Sequence, residues 1–226
     1  MQINNTKELA PTNVNIMIYA HSGSGKTSAA KTLKGKTLVI SLESGLLPLK
    51  DAGIDYISLE KGGMAKLRDA MSFISSSDYV NIYFDSLSEI ADLFVDEAKL
   101  LYPDKRQTLP MWGHYSESFG KFLKLTRDMG KNVFYTCLVK EVKSDSGVEY
   151  YVPAIPGKLA ERSLALFDFV FTIKSLENEN GTGSSKGHKR MFQTFNDGKY
   201  LCKTRSDKIA EFEEINLNDI ITKAFN

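Results

Sequence analysis

Val14-Asn15-Ile16-Met17-Ile18-Tyr19-Ala20-His21-Ser22-Gly23-Ser24-Gly25-Lys26-Thr27-Ser28 joins an apolar run to a glycine-rich turn that closes on Gly-Lys-Thr. The run reads as a buried strand, the turn as a phosphate-binding loop, and Ser28–Leu33 as the helix that follows. Strand, loop and helix in that order are the context the motif requires. Glycines let backbone N–H groups wrap phosphates, and a following helix N-terminus adds a favourable dipole. Ser22, Gly23, Ser24, Gly25, Lys26, Thr27 and Ser28 are the candidate binding residues. Lys26 would reach the β- and γ-phosphates, and the Thr27 hydroxyl would hold Mg²⁺. Ala20 stands where the motif's first glycine usually sits. The reading is a site for ATP with Mg²⁺.

Working outward, the chain alternates strand and helix. Thr37–Ser41 and Asp55–Leu59 read as strands. Gly62-Gly63 opens a helix reaching about Ile74, with Leu67, Ala70, Met71 and Ile74 at helical spacing. Tyr79–Phe84 is an apolar strand ending at Asp85, and Leu87–Leu101 is a long amphipathic helix. A linker with Pro103 and Pro110 spans 102–113, a helix runs from about Tyr115 to Met129, and Asn132–Val139 is the next strand. Such alternation predicts an α/β fold, a mostly parallel central sheet flanked by helices. Later segments change character. Val142–Val152 reads as strand, turn and strand, and Phe167–Ile173 as a further strand. Arg190–Thr194 and Lys199–Lys203 read as a hairpin around Asn196-Asp197-Gly198. These later strands are expected to extend the sheet in antiparallel fashion. Residues 177–189 read as a mobile loop. The expected organisation is an arm at 1–13, a core at 14–208 and an acidic tail or helix at 209–226.

The apolar strand ending in Asp85-Ser86 matches the Walker B pattern, in which the carboxylate organises Mg²⁺ and its water. A strand-end Asp or Ser also caps the next helix, and the two roles are compatible. Ser41-Leu42-Glu43-Ser44-Gly45 follows the second strand. Glu43 there would polarise the attacking water, because phosphoryl transfer needs an oriented, in-line nucleophile; the alternative is an exposed loop carboxylate. Late in the chain, Lys203 and Arg205 are spaced to share one face of a strand. They read either as two cations that grip a phosphate cluster across a subunit boundary, or as a basic edge strand that resists aggregation.

Composition bounds the rest. The 226 residues carry a net charge of +1, so no global basic signal points to nucleic acid. Residues 174–208 hold eight Lys/Arg against four Asp/Glu, and residues 209–226 hold one Lys against four acids. Such a swing is usually solvated surface. Cys137 and Cys202 have no metal-type spacing, which favours a reducing compartment. No apolar run suggests a membrane span and the start lacks a signal segment, so the expected location is cytoplasmic.

Taken in order along residues 14–208, these pieces resemble the RecA-like core ATPases. They comprise the P-loop, a strand ending before Glu43, Asp85-Ser86, two helices, strand Asn132–Val139, and Pro156-Gly157-Lys158-Leu159-Ala160 leading into Phe167–Ile173. Lys203-x-Arg205 is similar to the paired trans-acting cations of hexameric relatives. The polymerisation and C-terminal domains of the bacterial recombinase have no counterpart. A compact chain of this length looks most like phage-encoded members, including the Sak group of RecA-like single-strand annealing proteins. The resemblance implies a DNA-stimulated ATPase in recombination or annealing, with single-stranded DNA as ligand and a homo-oligomeric ring or filament. It also implies a host single-strand-binding protein as a partner. Lys105, Arg106 and Trp112 would then lie on one DNA-facing loop, and Lys143, Tyr150 and Tyr151 on another. Cations for the backbone and aromatic faces for base stacking are what such a site needs.

Relatives often place Gln or His after the strand that follows Walker B, to sense the γ-phosphate. Thr136-Cys137 occupies that slot here. A rival reading is therefore a nucleotide-gated loader or switch that binds a replication protein. A metabolite kinase is a third, against which stands the lack of an arginine-rich lid.

Overall fold

The computed structural model describes residues 13–43, 45–178 and 187–225. Its strands and helices, in chain order, are β1 (Asn15–Tyr19), β2 (Thr37–Ser41), β3 (Asp55–Ser58), α1 (Gly63–Ser76), β4 (Asn81–Asp85) and α2 (Leu87–Leu101). Then come α3 (Thr108–Arg127), β5 (Asn132–Cys137), β6 (Val139–Lys143), β7 (Glu149–Pro153) and α4 (Leu159–Arg162). The chain closes with β8 (Phe169–Asn178), β9 (Gly187–Gln193), β10 (Phe212–Glu214) and α5 (Leu217–Phe225).

Eight of these ten strands form one sheet in the order β10-β9-β8-β1-β5-β4-β2-β3, and β6 and β7 pair antiparallel as a separate two-stranded sheet. The strands from β8 to β3 run parallel, and β9 and β10 add antiparallel strands at one edge. This is the α/β architecture expected, with β9 and β10 as its antiparallel extension; the 142–152 pair, expected to extend the sheet, stands apart from it as β6 and β7, and β8 joins in parallel. Strands β1, β2, β4 and β5 are buried along their whole length. A parallel sheet covered on both faces leaves no polar side for them to show, which is why their sequences are apolar runs rather than alternations. Two aromatic-rich clusters fill the faces. One packs β4 and β5 against α1, α2 and α3 through Phe84, Phe94, Phe119, Phe122 and Tyr135. The other packs Ile18, Tyr83, Phe134, Phe171 and Phe192 against Ala29, Ala30, Leu217 and Ile220.

Register is set by buried amides where the strands begin. Asn132 Nδ2 donates to Asn81 Oδ1 at 3.0 Å, and the Val14 amide donates to Asn132 Oδ1 at 3.1 Å. Slipping either strand would strand these polar groups in the core.

Several segments refine or depart from the sequence reading. The 102–113 linker ends early, because α3 starts at Thr108 and contains Pro110 in its first turn. A first-turn N–H has no intrahelical acceptor, so proline is tolerated there. The hairpin around Asn196-Asp197-Gly198 does not form. Strand β9 pairs instead with β8 and β10, while Tyr200 and Lys203 make isolated bridges to Tyr151 and Val170. The Asn196 and Asp197 side chains accept from the amides of Gly198, Lys199 and Tyr200, so the turn signal is satisfied locally without a ladder. The acidic stretch, expected as a tail or helix, forms the helix α5 and, before it, the strand β10. Leu217 and Ile220 are buried, and the Leu217 amide donates to Thr32 Oγ1 at 2.8 Å. Of the expected mobile loop at 177–189, Glu177 and Asn178 belong to β8, Gly187 to Lys189 belong to β9, and the remainder lies outside the described residues, as does the arm up to residue 12.

Candidate functional site: a nucleotide pocket at the ends of the parallel strands

Strands β1, β2 and β4 all end at one rim of the sheet, and their following loops meet there. Residues 20–26 leave β1, Glu43 follows β2, and Asp85-Ser86 closes β4. Together they enclose a cavity of about 270 Å³ lined by Ser22, Gly23, Gly25, Lys26, Thr27, Ser28, Glu43, Asp85, Ser86, Leu138 and Arg190, among others. The sequence-predicted nucleotide residues therefore converge. Ser24 belongs to the same loop, and its hydroxyl oxygen is buried with no hydrogen-bond partner among the described residues.

The loop's shape depends on glycine at two positions. Gly23 has φ 72° and Gly25 has φ 104°, a region costly for any residue with a Cβ. The helix expected after the loop is a six-residue 3-10 segment, Thr27–Thr32. So short a segment has little aligned dipole, and the loop amides and Lys26 carry the attraction for phosphate.

Lys26 is buried, and its ammonium donates to the carbonyls of Ala20 at 2.8 Å and His21 at 2.9 Å. Burial lowers its pKa, and Asp85 opposes that shift. Asp85 is also buried. Its Oδ2 accepts from Thr27 Oγ1 at 2.7 Å, and its Oδ1 accepts from the Thr136 hydroxyl. Burial raises the Asp85 pKa, while the two hydroxyl donors pull it back. Ser86 Oγ donates to Glu43 Oε1 at 2.7 Å. That bond ties the loop after β2 to the end of β4 and leaves the exposed Glu43 carboxylate facing the cavity.

These groups fit a magnesium nucleotide. The Thr27 hydroxyl and the Asp85 carboxylate are hard oxygen donors in contact, the set Mg²⁺ prefers when phosphates and waters supply its other ligands. The partnerless Ser24 hydroxyl and the glycine-shaped loop add a built receptor for phosphate oxygens. Among the described residues no cluster of three His, Cys, Asp or Glu could hold a metal by itself. Bound Mg²⁺ would neutralise charge developing on the transferred phosphoryl group.

A family model described as an AAA domain matches residues 12–206. The chain belongs to that AAA domain family. No curated protein matches. Among solved structures, a prototypical ATPase from the type III secretion system of pathogenic bacteria is similar at 16% identity and TM-score 0.47. The match covers 72% of this chain and 52% of that one, so the chain spans about half the length of that ATPase. The AAA domain assignment and the pocket agree in making this a P-loop ATPase fold. No helix among the described residues is long and apolar enough to cross a membrane.

Other expected site residues lie elsewhere. Lys203 Nζ donates to the carbonyls of Phe167 at 2.8 Å, Leu164 at 3.3 Å and Ala165 at 3.4 Å. Arg205 Nη1 pairs with Asp168 at 2.7 Å. Asp168 sits beside Asn15, where the parallel strands begin, at the rim opposite the nucleotide cavity. The two cations do point together, but within this chain they brace the entry to β8.

Among the expected DNA-facing residues, Arg106 pairs with Asp104, and Lys105 lies in the same short 3-10 turn. Trp112 stands on α3 with its ring edge-on to Tyr115. Lys143 faces Glu149 at 3.8 Å, and Tyr150 donates to Glu161 at 2.8 Å. Tyr151 stacks on Tyr200 at 4.7 Å between centroids, and Lys199 lies over its ring. Most of these groups are thus engaged in local structure.

Sequence reading missed Thr136, Ser86 in its contact with Glu43, and Arg190. Thr136 sits in the sensor slot, yet its hydroxyl holds Asp85. Its neighbour Cys137 is buried, and contacts Ser88 Oγ at 3.1 Å. Burial pushes the Cys137 thiol up to about 11, which agrees with a packing role.

Proposed function

We propose that the chain is a RecA-like ATPase that hydrolyses ATP to ADP and phosphate and binds single-stranded DNA, in phage-type recombination or strand annealing. The observation that carries the hydrolytic reading is Glu43, held by Ser86 across the cavity from the phosphate loop. A carboxylate fixed there accepts a hydrogen bond from water and orients it for in-line attack, while Lys26 and the loop amides stabilise the charge on the transferred group. The new P–O bond forms from water as the bond to the ADP oxygen breaks.

DNA binding rests on a second cavity, of about 450 Å³, between the β6–β7 hairpin and α4. Lys140, Lys158 and Arg162 line it, against the single carboxylate of Glu161. Among the described residues none of these three cations is held in an ion pair, unlike Arg106 and Lys143. They are available to a phosphate backbone. Lys140 stands two residues from Leu138, which lines the nucleotide cavity, so β6 connects the two sites directly. A homo-oligomeric ring or filament, a host single-strand-binding protein as partner, and a cytoplasmic site of action belong to the same reading. In such an assembly Lys203 and Arg205 would have to exchange their own-chain bonds to act across an interface.

Anisotropy of a labelled oligothymidylate tests the groove. The double variant Lys158→Ala, Arg162→Ala is expected to weaken binding at least about tenfold and to flatten its salt dependence by about two phosphate contacts. Unchanged affinity and slope would remove the groove from DNA binding.

One observation favours a second reading, a nucleotide-gated loader or switch that binds a replication protein. Thr136 and Cys137 are committed to Asp85 and Ser88, so the C-terminal end of β5 offers no amide or imidazole side chain to a γ-phosphate. ATP binding without DNA-stimulated turnover would select it.

A further inference from the structure

We infer that Arg190 is the second cation of the nucleotide site and acts on the phosphate chain from within the same protomer. The inference rests on the nucleotide reading of the cavity and adds a residue to it.

Strand β9 carries Arg190 past the rim of the sheet. Its register sets Arg190 opposite Ser175 and Phe192 opposite Ile173. Residues two apart on a strand share a face. Phe192 is fully buried in the cluster that also holds Ala29 and Ala30, just after the phosphate loop. It stacks on Phe171 at 5.3 Å between centroids. Arg190, one step further out on that face, therefore reaches over the loop itself. A Cβ built on Gly25 would lie 3.7 Å from Arg190 Nη1. The strand is held on both sides, by β8 and β10, so the guanidinium springs from a rigid element.

Charge gives the position its meaning. The charged side chains lining the cavity are Lys26, Glu43, Asp85 and Arg190. Without Arg190 the wall holds two carboxylates and one buried ammonium, a poor receptor for a polyanion. With it the carboxylates are balanced, and the loop amides can act on the phosphates unopposed. Among the described residues Arg190 forms no ion pair, whereas its neighbour Lys189 is paired with Glu214 at 2.5 Å and Arg205 with Asp168. A guanidinium offers paired donors suited to phosphate oxygens. Lys203 and Arg205 sit at the opposite rim, so the cation completing this site comes from β9.

Calorimetric titration of ATP into wild type, Arg190→Ala and Arg190→Lys tests the assignment, alongside mixtures of Arg190→Ala with Lys26→Ala. The expected result is an ATP Kd raised at least about tenfold in Arg190→Ala, with partial recovery in Arg190→Lys. The melting temperature without nucleotide should stay close to wild type, since the side chain is exposed. The mixture should show no turnover beyond that of its components, because both defects fall in one protomer's site. An ATP Kd within twofold of wild type would overturn the inference. Rescue in the mixture would overturn its same-protomer part. Wild type that fails to bind ATP would instead overturn the nucleotide reading beneath it. Should Arg190→Ala not fold, Arg190→Gln carries the same expectations.

Discussion

Asp85 shows how single residues set the chemistry of the pocket. A buried carboxylate is costly to ionise, and two hydroxyls, from Thr27 and Thr136, are spent on keeping it an anion. The sign of the pH effect follows. Burial raises the folded-state pKa of Asp85, so its contribution to stability is greatest below the ordinary carboxylate range and is lost as pH rises through the raised value. Activity has the opposite need, because only the carboxylate can serve a metal. Thr136→Val removes one donor and raises the pKa further. The acid limb of the pH–rate profile should move to higher pH, and superimposable profiles would show that Thr136 does not tune Asp85. Glu43 answers to a different readout. Glu43→Gln keeps the contact with Ser86 and should retain ATP binding while slowing hydrolysis at least about tenfold. Equal turnover in single-cycle measurements would take Glu43 out of the reaction.

Elements explain both what was legible and what was not. The phosphate loop and the Asp85 strand could be read because backbone geometry and metal chemistry leave few residue choices there. The parallel strands could be read because burial on both faces demands apolar runs. Helix α3 was half hidden, since Pro110 looks like a breaker until its place in the first turn is known. The register of β9 was hidden for another reason. Asn196-Asp197-Gly198 is a strong turn signal, but only tertiary pairing decides which strands a turn connects. Arg190 was lost with that register, and Thr136 could not be found because its role depends on β5 lying beside β4. Packing of α3 makes its own prediction. Phe119 is fully buried and its ring lies against Phe94, Tyr115 and Phe122 at 5.5, 5.7 and 6.2 Å between centroids. Phe119→Ala should cost about 3–5 kcal/mol in urea unfolding. A loss under about 1 kcal/mol would mean that this aromatic cluster does not hold α2 and α3 to the sheet.

At the scale of the whole molecule, the two rims of the sheet do different work. Where the parallel strands begin, Asn81, Asn132, Asp168 and Arg205 lock register. Where they end, loops from β1, β2 and β4 meet β9 around one cavity, and β6 leads from that cavity to the cationic groove beside α4. Nucleotide and DNA would thus bind on connected parts of one body. The most direct measurement is ATP turnover with and without single-stranded DNA over a range of protein concentrations, with Lys26→Ala as the inactive control. The account predicts turnover that DNA stimulates and that rises steeply with concentration, and none in Lys26→Ala. Turnover that is absent, or equal in Lys26→Ala and wild type, would contradict it.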